Sequence, residues 1–146
     1  SEKVAFTATV ARAMTSKNGQ THVFPHIIRN VWGGYNGNTG VFTAPWDGVY
    51  VFFCRITGTE NPSDMVSEFI MNGLAKTRNL LIARFPTPYR TSSSSIVLSL
   101  NHGDKVWIKM ALGGYDFNAG DGGYQTYSPV FSFDCDFFYS KKCINI

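Results

Sequence analysis

The segment Gly48-Val49-Tyr50-Val51-Phe52-Phe53-Cys54-Arg55-Ile56 decides the fold of this chain. Pro45 and Gly48 bound a turn, and the run that follows is apolar at nearly every position. A half-buried strand alternates apolar and polar residues. A strand in the middle of a covered sheet carries apolar residues on both faces. Residues 49–56 are therefore predicted to form a central strand of a layered β protein.

The flanking sequence repeats the pattern of strand and turn. Upstream, Asn30 to Asn38 threads Gly33, Gly34 and Gly37 among Val31, Trp32 and Tyr35, a strand that runs into a glycine-rich turn. Downstream, Val66 to Met71 meets Asn72-Gly73, which marks a hairpin because both residues accept the positive φ of a type I′ turn. Ile96, Leu98 and Leu100 alternate with Val97 and Ser99, then Asn101-His102-Gly103-Asp104 turns the chain into Lys105 to Ala111. There Val106, Ile108 and Met110 share one face. The other face sets Trp107 between Lys105 and Lys109, an exposed aromatic that calls for cover from a neighbouring subunit. Near the start, Phe6, Ala8 and Val10 oppose Thr7 and Thr9 until the polar stretch Ser16 to Gln20 breaks the pattern. Near the end, Phe131, Phe133, Cys135 and Phe137 alternate with Ser132, Asp134 and Asp136. Helical periodicity is absent over any useful length. Eight or more short strands at this spacing predict an all-β sandwich or jelly roll.

Composition narrows the class. The 146 residues are 44% hydrophobic, enough for one domain over 1–146 with a full core and no metal or disulfide staple. An aromatic share of 15%, 14 Gly and only 16% charge exclude a coiled coil or a disordered tail. No apolar run reaches the roughly 18 residues of a membrane span. Ser1 stands where an initiator Met would, and no signal-peptide pattern follows it, so no targeting segment is expected in the chain. The net charge of +3 is spread from Lys3 to Lys142, which argues against a nucleic-acid partner and leaves a mild attraction to anionic glycans or phosphates. His22 and His26, either side of Pro25, are expected at the surface or a sheet edge and not on a metal. With no CxxC pair a zinc site is not expected, and with no GxSxG, HExxH or phosphate-cradling loop neither is catalysis.

The spacing of Phe24, Asn30, Tyr35, Phe42 and Gly48-Val49-Tyr50-Val51-Phe52 resembles the signature of the complement C1q globular-domain family. Cys54 departs from it, standing where that family usually has Phe or Tyr. Gly103-Asp104-Lys105-Val106-Trp107 is similar to a second family feature. Val130-Phe131-Ser132 is similar to a third, with Phe133 in place of the usual Gly. The resemblance covers essentially the whole chain. It implies a ten-stranded jelly-roll β-sandwich of the C1q/TNF type, trimeric around the sheet that holds the first, central and last strands. The family commonly carries a collagen or coiled-coil stalk; with no Gly-X-Y repeat and no heptads here, a head-only form is expected. Such heads, abundant in invertebrates, resemble secreted lectins and pattern-recognition proteins of innate immunity.

Two segments have the composition of binding loops. In the stretch from Tyr115 to Tyr124, the oxygens of Asp116, Asn118 and Asp121 suit sugar hydroxyls or calcium, and the rings of Tyr115 and Tyr124 suit the apolar face of a pyranose. The resemblance places an acidic, in some members calcium-binding, loop near this part of the chain at the trimer apex, which makes Asp116 and Asp121 the calcium candidates. Lys76, Arg78, Arg84 and Arg90 surround Pro86-Thr87-Pro88-Tyr89, and Arg84, Tyr89 and Arg90 there suit sialic acid or a bacterial lipid phosphate. The expected function is a secreted homotrimer that recognises glycans such as bacterial surface polysaccharide. The alternative is a receptor-binding or extracellular-matrix ligand on the same trimer. The three cysteines leave three alternatives open: a Cys54–Cys135 bridge between strands that the family topology makes neighbours, a bridge from Cys143 to Cys54 or Cys135, or no intrachain bridge.

Overall fold

The computed structural model describes residues 4–10, 14–15, 18–57, 65–81, 91–112, 116–117 and 125–133. The strands among them are β1 (Ala5–Val10), β2 (Met14–Thr15), β3 (His26–Val31), β4 (Tyr35–Asn36), β5 (Val41–Thr43) and β6 (Gly48–Thr57). They continue as β7 (Met65–Met71), β8 (Leu74–Leu81), β9 (Thr91–Leu100), β10 (Lys105–Leu112), β11 (Asp116–Phe117) and β12 (Gln125–Phe133). Ten of them form a sandwich of two five-stranded sheets, β3-β1-β12-β6-β9 facing β4-β5-β10-β7-β8, and β11 pairs with β2 as a separate ribbon. The first, central and last strands share one sheet, as the resemblance implied.

β6 is paired on both sides, to β12 and to β9, the latter over its whole length from Gly48↔Leu100 to Thr57↔Thr91. Tyr50, Phe52, Cys54 and Ile56 point into the core. The second face of the strand is not covered as its composition led us to expect. Val49 and Val51 are half-buried, and Phe53 is 40% exposed.

The signature residues converge on one another. Phe6 stacks on Tyr35 with ring centroids 4.5 Å apart, and Phe42 lies between Phe6 and Phe52 at 5.5 and 5.4 Å. The Tyr35 hydroxyl donates to the Phe24 carbonyl and accepts the Phe24 N–H, both at 3.0 Å. Burial pushes that phenol up to about 12. The Asn30 amide donates to the Tyr35 carbonyl at 2.8 Å and its oxygen accepts the Tyr35 N–H at 3.3 Å, which holds β3 against β4. Gly34 is required because a Cβ there would meet the Phe42 ring at 2.5 Å.

The Asn72-Gly73 hairpin forms as predicted, with φ of 49° and 87°. Its tip is tied to the β9–β10 turn. The Asn72 amide donates to Asp104 Oδ1 at 3.0 Å, its oxygen accepts the Lys105 N–H at 2.9 Å, and Asp104 Oδ2 accepts the Asn101 N–H at 2.8 Å. These donors hold the Asp104 carboxyl below its ordinary value.

Two expectations are corrected. His22 is buried, 1% exposed, and meets the Phe24 ring edge-on at 4.5 Å, so only His26 lies at the surface. The cause is the run 19–22, which pairs with β10: the His22 N–H donates to the Ile108 carbonyl at 2.8 Å and the Gly19 N–H to that of Met110 at 2.7 Å. Trp107, opposite Ile70, is half-buried within the single chain and stands in the sheet across from β1, β6 and β12. Its ring is therefore less exposed than the sequence predicted.

Candidate functional site: two ends of the sandwich and an open sheet face

The strands that flank the two predicted binding segments have their nearer ends at one end of the sandwich. β8 ends at Leu81 beside Met65, and β9 starts at Thr91 beside Thr57, so residues 82–90 connect strands at the end where β6 finishes and β7 begins. β10 finishes at Leu112 beside Val66, and β12 starts at Gln125 beside Val10, so residues 113–124 connect strands at that same end. Asp116 pairs with Thr15 across the β2–β11 ribbon. Arg84, Tyr89, Arg90, Tyr115, Asn118, Asp121 and Tyr124 lie outside the described residues. Of the basic set, Lys76 is exposed on β8, but the Arg78 Nε is bonded at 3.0 Å to the buried carboxylate of Glu68. Arg78 thus pairs with Glu68 while its side chain stays 75% exposed. Among the described residues no group of three His, Cys, Asp or Glu side chains is placed to hold a metal.

A second feature is the outward face of β6 and β9, which sequence reading did not single out. Phe53 stands opposite Ser95 and Val51 opposite Val97, which is 63% exposed. Ser93, Ser95 and Ser99 complete an outward row of small hydroxyls. On the other side of β6, Val51 and Val49 pair with Phe131 and Phe133. The signal was the alternation of β9, in which Val97 falls on the serine face.

The opposite end of the sandwich carries a third feature, also unread in the sequence. Trp32 and Gly33 form the turn between β3 and β4 with φ of 69° and 62°. A left-handed conformation disfavours any side chain with a Cβ by about 1–2 kcal/mol, yet Trp32 holds it with its side chain 52% exposed. Its ring meets Trp46 at 5.0 Å and 66°, and the buried indole N–H of Trp46 has no hydrogen-bond partner. A Trp-Gly pair between two strands was the missed signal.

Cys54 is a buried free thiol, pushed up to about 12 by burial. Cys135 and Cys143 lie outside the described residues. β12 sets Tyr127 against Cys54 and ends with Phe133 against Val49.

Comparison with known proteins agrees with this architecture. The family model for the C1q domain matches residues 5–132. Human complement C1q tumor necrosis factor-related protein 3 is 28% identical over 115 residues, which are 76% of this chain and 44% of that protein. The mouse protein of the same name is likewise 28% identical over 115 residues, again 76% of this chain and 44% of that one. This chain therefore spans less than half the length of these relatives. Among solved structures, the globular domain of zebrafish complement 1qA superposes with a TM-score of 0.67 at 18% identity, covering 90% of this chain and 97% of that one. The Eiger TNF of S. frugiperda superposes with a TM-score of 0.71 at 11% identity, covering 90% and 92%. A sandwich with this strand order, a core built on the spaced aromatic signature and a family match across almost its whole length place the chain in the C1q domain family.

Proposed function

We propose that this chain is a secreted, homotrimeric, lectin-like pattern-recognition protein of innate immunity, binding carbohydrate through the loops at 82–90 and 113–124. The observation that carries the reading is that both loops, one rich in Arg and Tyr and the other in Asp, Asn and Tyr, leave from one end of a rigid sandwich. Binding residues gather where loops are held by a scaffold. The open face of β6 and β9 supports self-association, because Val51, Phe53 and Val97 form an apolar strip bordered by Ser93, Ser95, Ser99 and the exposed Arg55. A trimer aligns three weak loop sites and multiplies their strength by avidity. Asp116 and Asp121 are the candidates for calcium and Arg84 and Arg90 for an acidic sugar.

The test is a glycan array run with and without a calcium chelator, alongside a variant carrying Asp116→Ala and Asp121→Ala. Selective sugar binding that the variant loses supports the reading. Silence on every sugar overturns it in favour of a receptor-binding or matrix ligand.

A further inference from the structure

Among the described residues, two turns place a non-glycine residue and the glycine after it at positive φ. One uses Asn72-Gly73, a pair that this backbone favours. The other holds Trp32 in the same strained position ahead of Gly33. Asn at position 32 would hold this backbone with less strain, and the ring's contact with Trp46 still leaves it half exposed. Strain of this kind persists where the side chain has a use beyond the fold.

We infer that Trp32 is a stacking platform for a neutral pyranose unit of a glycan, at the end of the sandwich opposite the loops at 82–90 and 113–124. The ring is braced edge-on by Trp46 and half open to solvent. The glycine after it has open space where a Cβ would stand, so little crowds the approach to the ring. The C–H bonds on one face of a hexopyranose carry partial positive charge and meet the negative face of an indole. A protein partner is a poor fit because it needs an apolar patch of several hundred Å². The exposed apolar side chains of β3, Ile27 and Ile28, begin roughly 13 Å along the strand from Trp32. An acidic sugar fits less well than a neutral one, because the exposed Asp47 follows Trp46 directly. The inference shares its ligand class with the proposed function but none of its residues.

The test compares wild type, Trp32→Asn, Trp32→Tyr and a loop variant with Asp116→Ala, Asp121→Ala, Arg84→Ala and Arg90→Ala. The probes are mannan, laminarin and galactan, read by solid-phase binding and tryptophan fluorescence, with assembly mass by light scattering and melting temperature alongside. Wild type should bind at least one of the three. Trp32→Asn should lose that binding by about tenfold or more, the scale of losing one aromatic stacking partner, at unchanged assembly mass and with a melting temperature no lower than wild type. Trp32→Tyr should keep part of the binding. The inference is overturned if wild type binds none of the three or if Trp32→Asn binds like wild type. It is also overturned if Trp32→Asn breaks the assembly, because the ring then belongs to a contact between copies. Loss confined to the loop variant sinks this site and keeps the loop reading, whereas loss confined to Trp32→Asn does the reverse.

Discussion

Tyr35 holds the backbone of Phe24 with one hydroxyl that donates and accepts at once, and both bonds are buried. Tyr35→Phe keeps the ring stack on Phe6 but orphans two backbone groups, at about 1–3 kcal/mol for an unsatisfied buried group. The expected loss is about 3 kcal/mol, or roughly 10 °C in a calorimetric melting temperature; a shift under about 2 °C would show that water replaces the hydroxyl. The phenol's raised value gives the sign of the alkaline limit. The neutral form is favoured in the fold, so this contribution is complete below the ordinary value of 10.0 and is lost as pH rises towards about 12. Cys54 is protected by the same burial. Native protein treated with iodoacetamide at about pH 8 should leave Cys54 unmodified by peptide mass spectrometry until denaturant is added, since the thiolate is the reactive species. Rapid native labelling would show that β6 opens. The placement of Tyr35 and Phe42 was legible because their spacing carries the signature. That of His22 was not, because its burial depends on pairing with Ile108, more than 80 residues away in sequence.

The β7–β8 hairpin and the β9–β10 turn form one unit through Asn72 and Asp104. Asp104 is held below 3.8, so its contribution is complete above that pH and is lost as pH falls through the lowered value. The stability gap between wild type and Asp104→Asn should therefore be widest near neutral pH and narrow as pH falls below 3.8. A constant gap in denaturant melts across that range would mean the carboxylate charge has no part in it. The same pair of elements shows what periodicity reveals. Asn72-Gly73 announced its hairpin from two residues. Trp107 announced a face but not which sheet that face belonged to, because an alternating strand reads the same in either layer. Arg78 lies on the surface as its basic neighbourhood suggested, but its pairing with Glu68 on β7 was not legible from the sequence.

For the molecule as a whole, the outward strip of β6 and β9 makes a sharper trimer test than Trp107. Val97→Glu puts a charge in the middle of that strip. It should convert an assembly of about three times the 16.2 kDa chain mass into monomer by light scattering, with an unchanged far-ultraviolet circular dichroism spectrum. A trimer that survives the charge would move the contact elsewhere on the surface. Monomer formation should also weaken binding to a multivalent glycan by about a hundredfold while leaving a single-sugar affinity nearly unchanged.

β1 begins at Ala5 beside Val31, and β12 ends at Phe133 beside Val49, in neighbouring strands at the end away from the loops. That arrangement gives the domain a polarity usable on a sensor chip. A chain fixed to a surface through a tag ahead of Ser1 stands with the strand ends at Thr57, Leu81 and Leu112 facing the solution and with Trp32 facing the support. Immobilised this way it should report only what the loops bind, and attachment through a lysine such as Lys76 should restore access to both ends.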